Sequence, residues 1–243
     1  MRPRIAARRG RTDERRVRPV TARIEEDIER RHVCVTLEVD VAGRRVALRK
    51  PYSTDALNDA EDFSRDERLP YWADLWPAAR VLSDEIARES GAGLSCLELG
   101  CGLGLTTIAA LIAGYDVTAT DYYEDALAFT LTNAFHSVRR TPVTRLVDWR
   151  GLPDDLGTFD RVVAADVLYE RAYGPLVASV IDRTLGAGGV ATVADPGRIA
   201  AEVFVRACEG LGLELIGMPV RELRDGSVTH RVRLLQLRRT VSR

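Results

Sequence analysis

From residue 94 onward the chain alternates short apolar runs with longer amphipathic ones, a rhythm that few architectures accommodate. The short runs predict strands at 95–99, 116–120, 143–147, 161–165, 189–194 and 213–218, with a last strand at 230–237. Between them, apolar residues recur at helical spacing over 105–113, 124–138, 173–185 and 199–211. Strands that alternate with helices in this way argue for a parallel, doubly wound α/β sheet. Continuous apolar runs such as Val162-Val163-Ala164-Ala165 suit strands covered by helices on both faces. Asp225-Gly226 reads as a turn before the final strand, which predicts an antiparallel insertion at the sheet edge.

The segment before this unit is organised differently. Residues 1–23 are rich in arginine and poor in apolar periodicity, which predicts disorder through about Val20 and a short helix over 22–31. A solvated tail accounts for these charges as well as a nucleic-acid arm or a targeting peptide would. Val33, Val35, Leu37, Val39 and Val41 alternate with polar or small residues, the period-2 mark of a half-buried strand. Ala42-Gly43 reads as a turn and Val46 and Leu48 continue a return strand to Lys50. Residues 53–70 are charged and predict a loop. Pro77 suits a first helical turn, and Val81, Leu82, Ile86 and Ala87 form the apolar face of a helix that Gly91 and Gly93 end. The expected division is a tail over 1–31, a hairpin and loop over 32–69, and the α/β domain over 70–243.

The strongest chemical signal is Cys96-Leu97-Glu98-Leu99-Gly100-Cys101-Gly102-Leu103-Gly104, which follows a strand and opens a helix. Glycines there let the backbone approach a ligand and adopt positive φ, and the helix N-terminus beyond offers unpaired N–H groups. The spacing is G-x-G-x-G, whereas a nicotinamide fingerprint reads G-x-G-x-x-G. Glu98 precedes the first glycine by two positions and suits a cationic ligand group better than a pyrophosphate. Asp121, at the end of the next strand, is placed to accept hydrogen bonds from a ribose diol. A glycine turn also serves tight packing alone; the two acids and the strand–turn–helix setting favour a cofactor site.

Composition narrows the class. With 35 basic and 36 acidic residues, the chain has no general attraction to nucleic acid or to anionic membranes. Lysine is almost absent and alanine abundant, which points to GC-rich codon usage and a bacterial source. No apolar run approaches the roughly 18 residues needed to span a bilayer. Cys34, Cys96, Cys101 and Cys208 form no zinc-like spacing, and with no signal peptide they read as free thiols of a cytoplasmic protein. His32, His136 and His230 lie apart from other catalytic groups, and no G-x-S-x-G elbow is present.

The stretch from Glu98 to Gly104, with Asp121 after the second strand, resembles motif I and the following acid of the seven-β-strand methyltransferases. Pro70-Tyr71-Trp72-Ala73-Asp74-Leu75-Trp76-Pro77 resembles the tryptophan–proline stretch of one subgroup, and Asp166-Val167-Leu168-Tyr169 its D-x-x-Y motif. That subgroup is the protein-lysine methyltransferases acting on chaperones, elongation factors and the electron-transfer flavoprotein β subunit. The resemblance covers residues 70–200 and implies a Rossmann-like sheet of seven strands, mostly parallel with the last antiparallel. It implies S-adenosylmethionine as cofactor, its methionine portion held by Glu98 and the backbone of Gly100, Gly102 and Gly104. Asp121 would take the ribose hydroxyls, Tyr122 would pack on the adenine, and Asp148 and Trp149 would contact the same base. Trp76 would close the methionine end, while Asp166 and Tyr169 would flank the methyl group and the incoming amine.

The expected activity is therefore transfer of a methyl group to a lysine amine of a protein. Two alternatives stand beside it: a small-molecule N- or O-methyltransferase, and a binding module that keeps the fold without catalysis. Short links such as 168–173 favour an open cleft suited to a protein surface, and the intact set of acids and glycines speaks against a decayed site. An Asn-Pro-Pro-Tyr-like motif of base methyltransferases is absent after the fourth strand, so nucleic acid is not the expected substrate. Asp166 read as a loop-capping acid, Tyr169 as a packing aromatic and Trp76 as structural remain open readings. Trp72 is expected in the core.

Overall fold

A computed structural model describes residues 14–53 and 70–240, with side chains from residue 20 onward. The chain forms strands β1 (Cys34–Val41), β2 (Arg44–Pro51), β3 (Ser95–Leu99), β4 (Asp116–Asp121), β5 (Val143–Leu146), β6 (Phe159–Ala165), β7 (Leu185–Asp195), β8 (Leu213–Gly217), β9 (Val220–Asp225) and β10 (Val228–Arg239). Its helices are α1 (Glu14–Arg31), α2 (Pro77–Ile86), α3 (Leu105–Ala113), α4 (Glu124–Val138), α5 (Tyr173–Thr184) and α6 (Ala201–Gly210). The main sheet runs β5-β4-β3-β6-β7-β10-β8, with β9 also paired to β10. Strands β3 to β7 pair in parallel, and β10 is antiparallel to β7, β8 and β9. This is a Rossmann-like α/β methyltransferase fold with a separate N-terminal hairpin.

The order places the topological switch between β3 and β6. From β3 the chain winds outward through β4 and β5, then returns to lay β6 on the other side of β3. Loops leaving the C-terminal ends of β3, β4 and β6 therefore diverge around one crevice, where open α/β sheets collect ligands. Two apolar clusters flank the sheet. One gathers α2, α3, α4 and the hairpin around Phe129, Leu82 and Ile108; the other gathers α5 and α6 around Phe204, Ile181 and Leu168.

The last unit differs from expectation in two respects. Strand β10 is inserted one place in from the edge, and the outer position is shared by β8 and β9. Gln236 faces Gly217 and Arg233 faces Val220, so β8 and β9 follow one another along the same flank of β10. Strand β9 went unseen because Val220-Arg221-Glu222-Leu223-Arg224-Asp225 is almost wholly exposed and carries no apolar alternation.

Helix α1 begins at Glu14, well before the expected start at residue 22. Tertiary contacts anchor its C-terminal half: Ile28 is fully buried, Arg31 and the following His32 pair with Asp125 of α4, and His136 of α4 pairs with Glu25. The expectation of disorder over 1–13 and of a loop over 54–69 lies outside the described residues. The hairpin forms as expected, turning through Ala42 and Gly43 at φ of 51° and 79°. It is tied to the site by Asn133 of α4, whose side chain bonds the Arg49 N–H and C=O and the Leu103 carbonyl, each at 2.9 Å. Among the described residues no helix is long and apolar enough to cross a membrane.

Candidate active site

A cavity of about 530 Å³ opens at the C-terminal ends of β3, β4 and β6. Every residue that the sequence offered as cofactor-binding or catalytic lies along it, except Gly104. Six carboxylates and two arginines, Arg150 and Arg198, line it, so its field favours cationic ligand groups.

The floor is the glycine turn. Gly100, Gly102 and Gly104 have φ of 71°, 51° and 84°, a region that L side chains rarely adopt. Each is also held close by a neighbour. A Cβ at Gly102 would lie 3.0 Å from the Trp72 carbonyl oxygen, and one at Gly104 2.8 Å from the Thr130 Cα of α4. Gly104 is thus a packing glycine that seats α3 against α4, while Gly100 and Gly102 face the cavity. Trp72 is in the core, against Phe129 at 5.6 Å between ring centroids.

Glu98 and Asp121 stand at the ends of β3 and β4, both buried. Glu98 accepts a hydrogen bond from Thr107 of α3. Burial pushes its carboxyl up to about 8, with hydrogen bonds from Thr107 and Thr106 pulling the other way. Asp121 accepts from the Gly102 N–H at 2.9 Å and the Tyr123 N–H at 3.1 Å. Burial raises its pKa too, opposed by these backbone donors. The Gly102 bond ties the acid to the glycine turn and the Tyr123 bond to its own loop, and four lone-pair sites on the carboxylate leave capacity for a diol.

The raised Glu98 value has a testable sign. Between the ordinary 4.5 and about 8 the native chain holds a proton that the unfolded chain has released. Its contribution to stability is therefore full below 4.5 and is lost as pH rises toward 8. Melting temperatures of the ligand-free protein should fall across that window, and Glu98→Gln should flatten the fall. An unchanged pH slope in the variant contradicts the assignment.

One wall carries Tyr122, Asp148 and Trp149. Asp148 accepts from Arg150 through Nε at 3.0 Å and Nη2 at 2.8 Å, and that guanidinium lies 5.9 Å from the Tyr122 ring centre. Trp149 packs edge-on to Tyr173 at 5.9 Å and close to Gly100. From Tyr173 the wall continues as a run of edge-to-face rings: Trp76 to Tyr71 at 5.9 Å, Tyr71 to Tyr169 at 5.3 Å and Tyr169 to Tyr173 at 5.0 Å. The Trp76 indole N–H donates to the Tyr71 carbonyl at 2.9 Å.

Asp166 follows β6 at φ 59° and is buried. Its Oδ1 accepts from Arg198 Nε at 2.6 Å, whereas Oδ2 is buried with no hydrogen-bond partner among the described residues. Such an oxygen costs about 1–3 kcal/mol unless a ligand supplies a donor. Sequence reasoning missed Arg198, Tyr71 and Tyr173. Arg198 sits in Asp195-Pro196-Gly197-Arg198 after β7, and in a chain this rich in arginine nothing marked it out.

With the geometry in place, known proteins are informative. The lysine methyltransferase family matches residues 64–205. The electron transfer flavoprotein beta subunit lysine methyltransferase of Rattus norvegicus is 30% identical over 135 residues, 53% of this chain and 51% of that one. The protein-lysine N-methyltransferase rrg1 of Schizosaccharomyces pombe is 25% identical over 158 residues, 57% and 52% of the two chains. The chain thus spans about half the length of the curated relatives it matches. Among solved structures, magnesium protoporphyrin IX methyltransferase from Synechocystis PCC 6803 superposes with a TM-score of 0.56 at 18% identity, covering 77% of this chain and 95% of that one. The N-methyltransferase NodS of Bradyrhizobium japonicum gives a TM-score of 0.55 at 16% identity, covering 74% and 95%. At such identities the two structures attest the fold.

Proposed function

Because the chain belongs to the lysine methyltransferase family, we propose that it moves a methyl group from S-adenosylmethionine to a lysine ε-amine of a protein. The observation that carries this reading is Asp166 Oδ2, buried and without a hydrogen-bond partner among the described residues, on an acid that lines the acid-rich cavity beside a glycine turn. A cation with an N–H donor is what such a place lacks. The curated relatives, named for lysine methylation of proteins, support the same substrate class.

The residues present fit the cofactor. The backbone of Gly100 and Gly102 lines the cavity, Glu98 faces it as a buried acid, and Asp121 is tied to the turn with acceptor capacity left. Glu98 and the glycine backbone would hold the methionine portion, Asp121 the ribose hydroxyls, and Tyr122, Asp148 and Trp149 the base. Trp76 would close the methionine end. When bound, S-adenosylmethionine supplies a methyl on a sulfonium that is already electrophilic.

The chain then needs only to bring a neutral amine into line. A lysine amine, with a free pKa of about 10.4, arrives protonated and must lose a proton before attacking. Asp166 Oδ2 accepts a hydrogen bond from the arriving ammonium and orients it. A carboxylate stabilises that ammonium, so Asp166 positions the amine while water takes the proton. Tyr169, with Tyr71 and Tyr173, forms an aromatic wall along which the aliphatic stem can lie. We place this activity in the cytoplasm, with no part for membrane or nucleic acid.

The test is methyl transfer from isotopically labelled S-adenosylmethionine to fractionated lysate, with mass spectrometry of the labelled species. Label on lysine in a protein is expected. Lys50 is the only lysine of this chain, so self-labelling is confined to one site and Lys50→Arg removes it. Label confined to small molecules would establish the small-molecule alternative instead, and no transfer by a folded protein that binds cofactor would leave a binding module.

A further inference from the structure

Among the described residues, one side-chain hydrogen bond orients the Asp166 carboxylate. The carboxylate torsion of an aspartate is intrinsically broad. Here Oδ1 bonds Arg198 Nε and Oδ2 bonds no described residue. The Asp166 backbone N–H is fixed to the Ala194 carbonyl at 2.9 Å, yet that bond leaves the carboxylate free to turn. A purely structural pair would ordinarily engage both oxygens with the guanidinium fork. This one engages a single oxygen and leaves its twin buried with no partner among the described residues, on an acid that lines the cavity.

Arg198 is itself held firmly. Its N–H donates to Asp195 Oδ1 at 3.0 Å and that of Gly197 to Asp195 Oδ2 at 2.9 Å, which shapes the turn after β7. Asp195 is fully buried and paired with Arg233 of β10. The Arg198 guanidinium lies 5.5 Å from the centre of the Trp76 ring, within cation–π range. Arg233, Asp195, the 197–198 backbone and Arg198 thus form a chain of contacts from the antiparallel strand to the site.

We propose that Arg198 is a positioning residue: by occupying Oδ1 of Asp166 it aims Oδ2 into the cavity to receive an ammonium group. The inference rests on the methyltransferase reading above and adds a residue to it. Without Arg198 the carboxylate can rotate, and a buried charge without a counter-ion is disfavoured and takes up a proton. Either change removes the ammonium acceptor while leaving the Glu98 and Asp121 end of the site as it was.

Two ligands separate these ends without any need for the natural substrate. S-adenosylhomocysteine lacks the transferable methyl, and sinefungin carries an amine in its place. Calorimetric titration of the full chain should show that the native protein prefers sinefungin by about tenfold or more, as a charge-assisted hydrogen bond would give. Arg198→Met should cut that preference to about twofold or less, with S-adenosylhomocysteine affinity kept within about twofold. Arg198→Lys, which restores a cation beside Oδ1, should recover part of the preference. Should the methionine variant fail to fold, Arg198→Gln serves as the uncharged replacement and should show the same loss.

A preference unchanged in the uncharged variants overturns the proposal, and so does an equal weakening of both ligands, the mark of a structural role. Absence of preference in the native protein overturns it as well. Native protein that binds neither ligand would instead remove the cofactor reading on which the inference rests.

Discussion

Gly104→Val should destabilise the native chain by about 3–5 kcal/mol and abolish cofactor binding in whatever folds, because two separate costs fall on one atom. Gly104 holds φ of 84°, and a β-branched residue there is a genuine outlier. Its Cβ would also come within 2.8 Å of the Thr130 Cα and 2.9 Å of Cγ2. A flexible neighbour could swing aside, but a helix backbone cannot. Either α3 or α4 must move, and α4 carries Asn133, which bridges the hairpin to the Leu103 carbonyl. Displacement at Gly104 therefore spreads into the turn that forms the cavity floor. Urea unfolding of the variant measures the first part and titration with S-adenosylhomocysteine the second. A variant of native stability would show that α4 yields more easily than close packing allows.

Asp121→Ala should spare the fold far more than it spares binding. The change orphans the Gly102 and Tyr123 N–H groups, at a cost of about 1–3 kcal/mol. It also removes a desolvated carboxylate whose ionised form burial disfavours, which offsets part of that loss. Binding has no such offset, since the ribose acceptor and the anchor of the glycine turn vanish together. Affinity for S-adenosylhomocysteine should drop by a hundredfold or more, equivalent to about 2.7 kcal/mol. Asp121→Asn keeps one acceptor and should fall between. A native affinity in the alanine variant would mean that Asp121 only braces the turn.

The contrast between these two sites shows what the amino-acid order discloses. Bounds for β3, α3 and α4 were legible to the residue, because a buried strand, a glycine turn and an amphipathic helix each leave strong local marks. The place of Glu98 and Asp121 along the cavity was legible because both stand at strand ends beside that turn. Strand β9 was not, since both its faces meet solvent and its residues carry no apolar alternation, even though it pairs with β10 across the adjacent turn at 226–227. The early start of α1 was hidden because its arginine-rich first turns carry no apolar periodicity, and the contacts that anchor the helix, to Asp125 and His136 more than ninety residues away, lie at its C-terminal end.

The site was read unevenly on the same grounds. Asp166 was identified as a residue, but the state of its two oxygens is a three-dimensional fact. Arg198 joins it from β7's turn, 32 positions along the chain, and only the folded sheet brings them within 2.6 Å. Trp76 was expected against the cofactor; the structure puts its ring beneath the Arg198 guanidinium as well. The aromatic wall of Tyr71, Tyr169 and Tyr173 likewise assembles from two chain-distant segments, and of its three rings the D-x-x-Y pattern showed one.

The central claim is that the cavity at the ends of β3, β4 and β6 binds S-adenosylmethionine. Calorimetric titration of the native protein with S-adenosylhomocysteine tests it most directly. The account predicts one ligand per chain at micromolar affinity, with binding lost in Asp121→Ala. A folded native protein that takes up no ligand would contradict the claim and leave a methyltransferase fold without its cofactor.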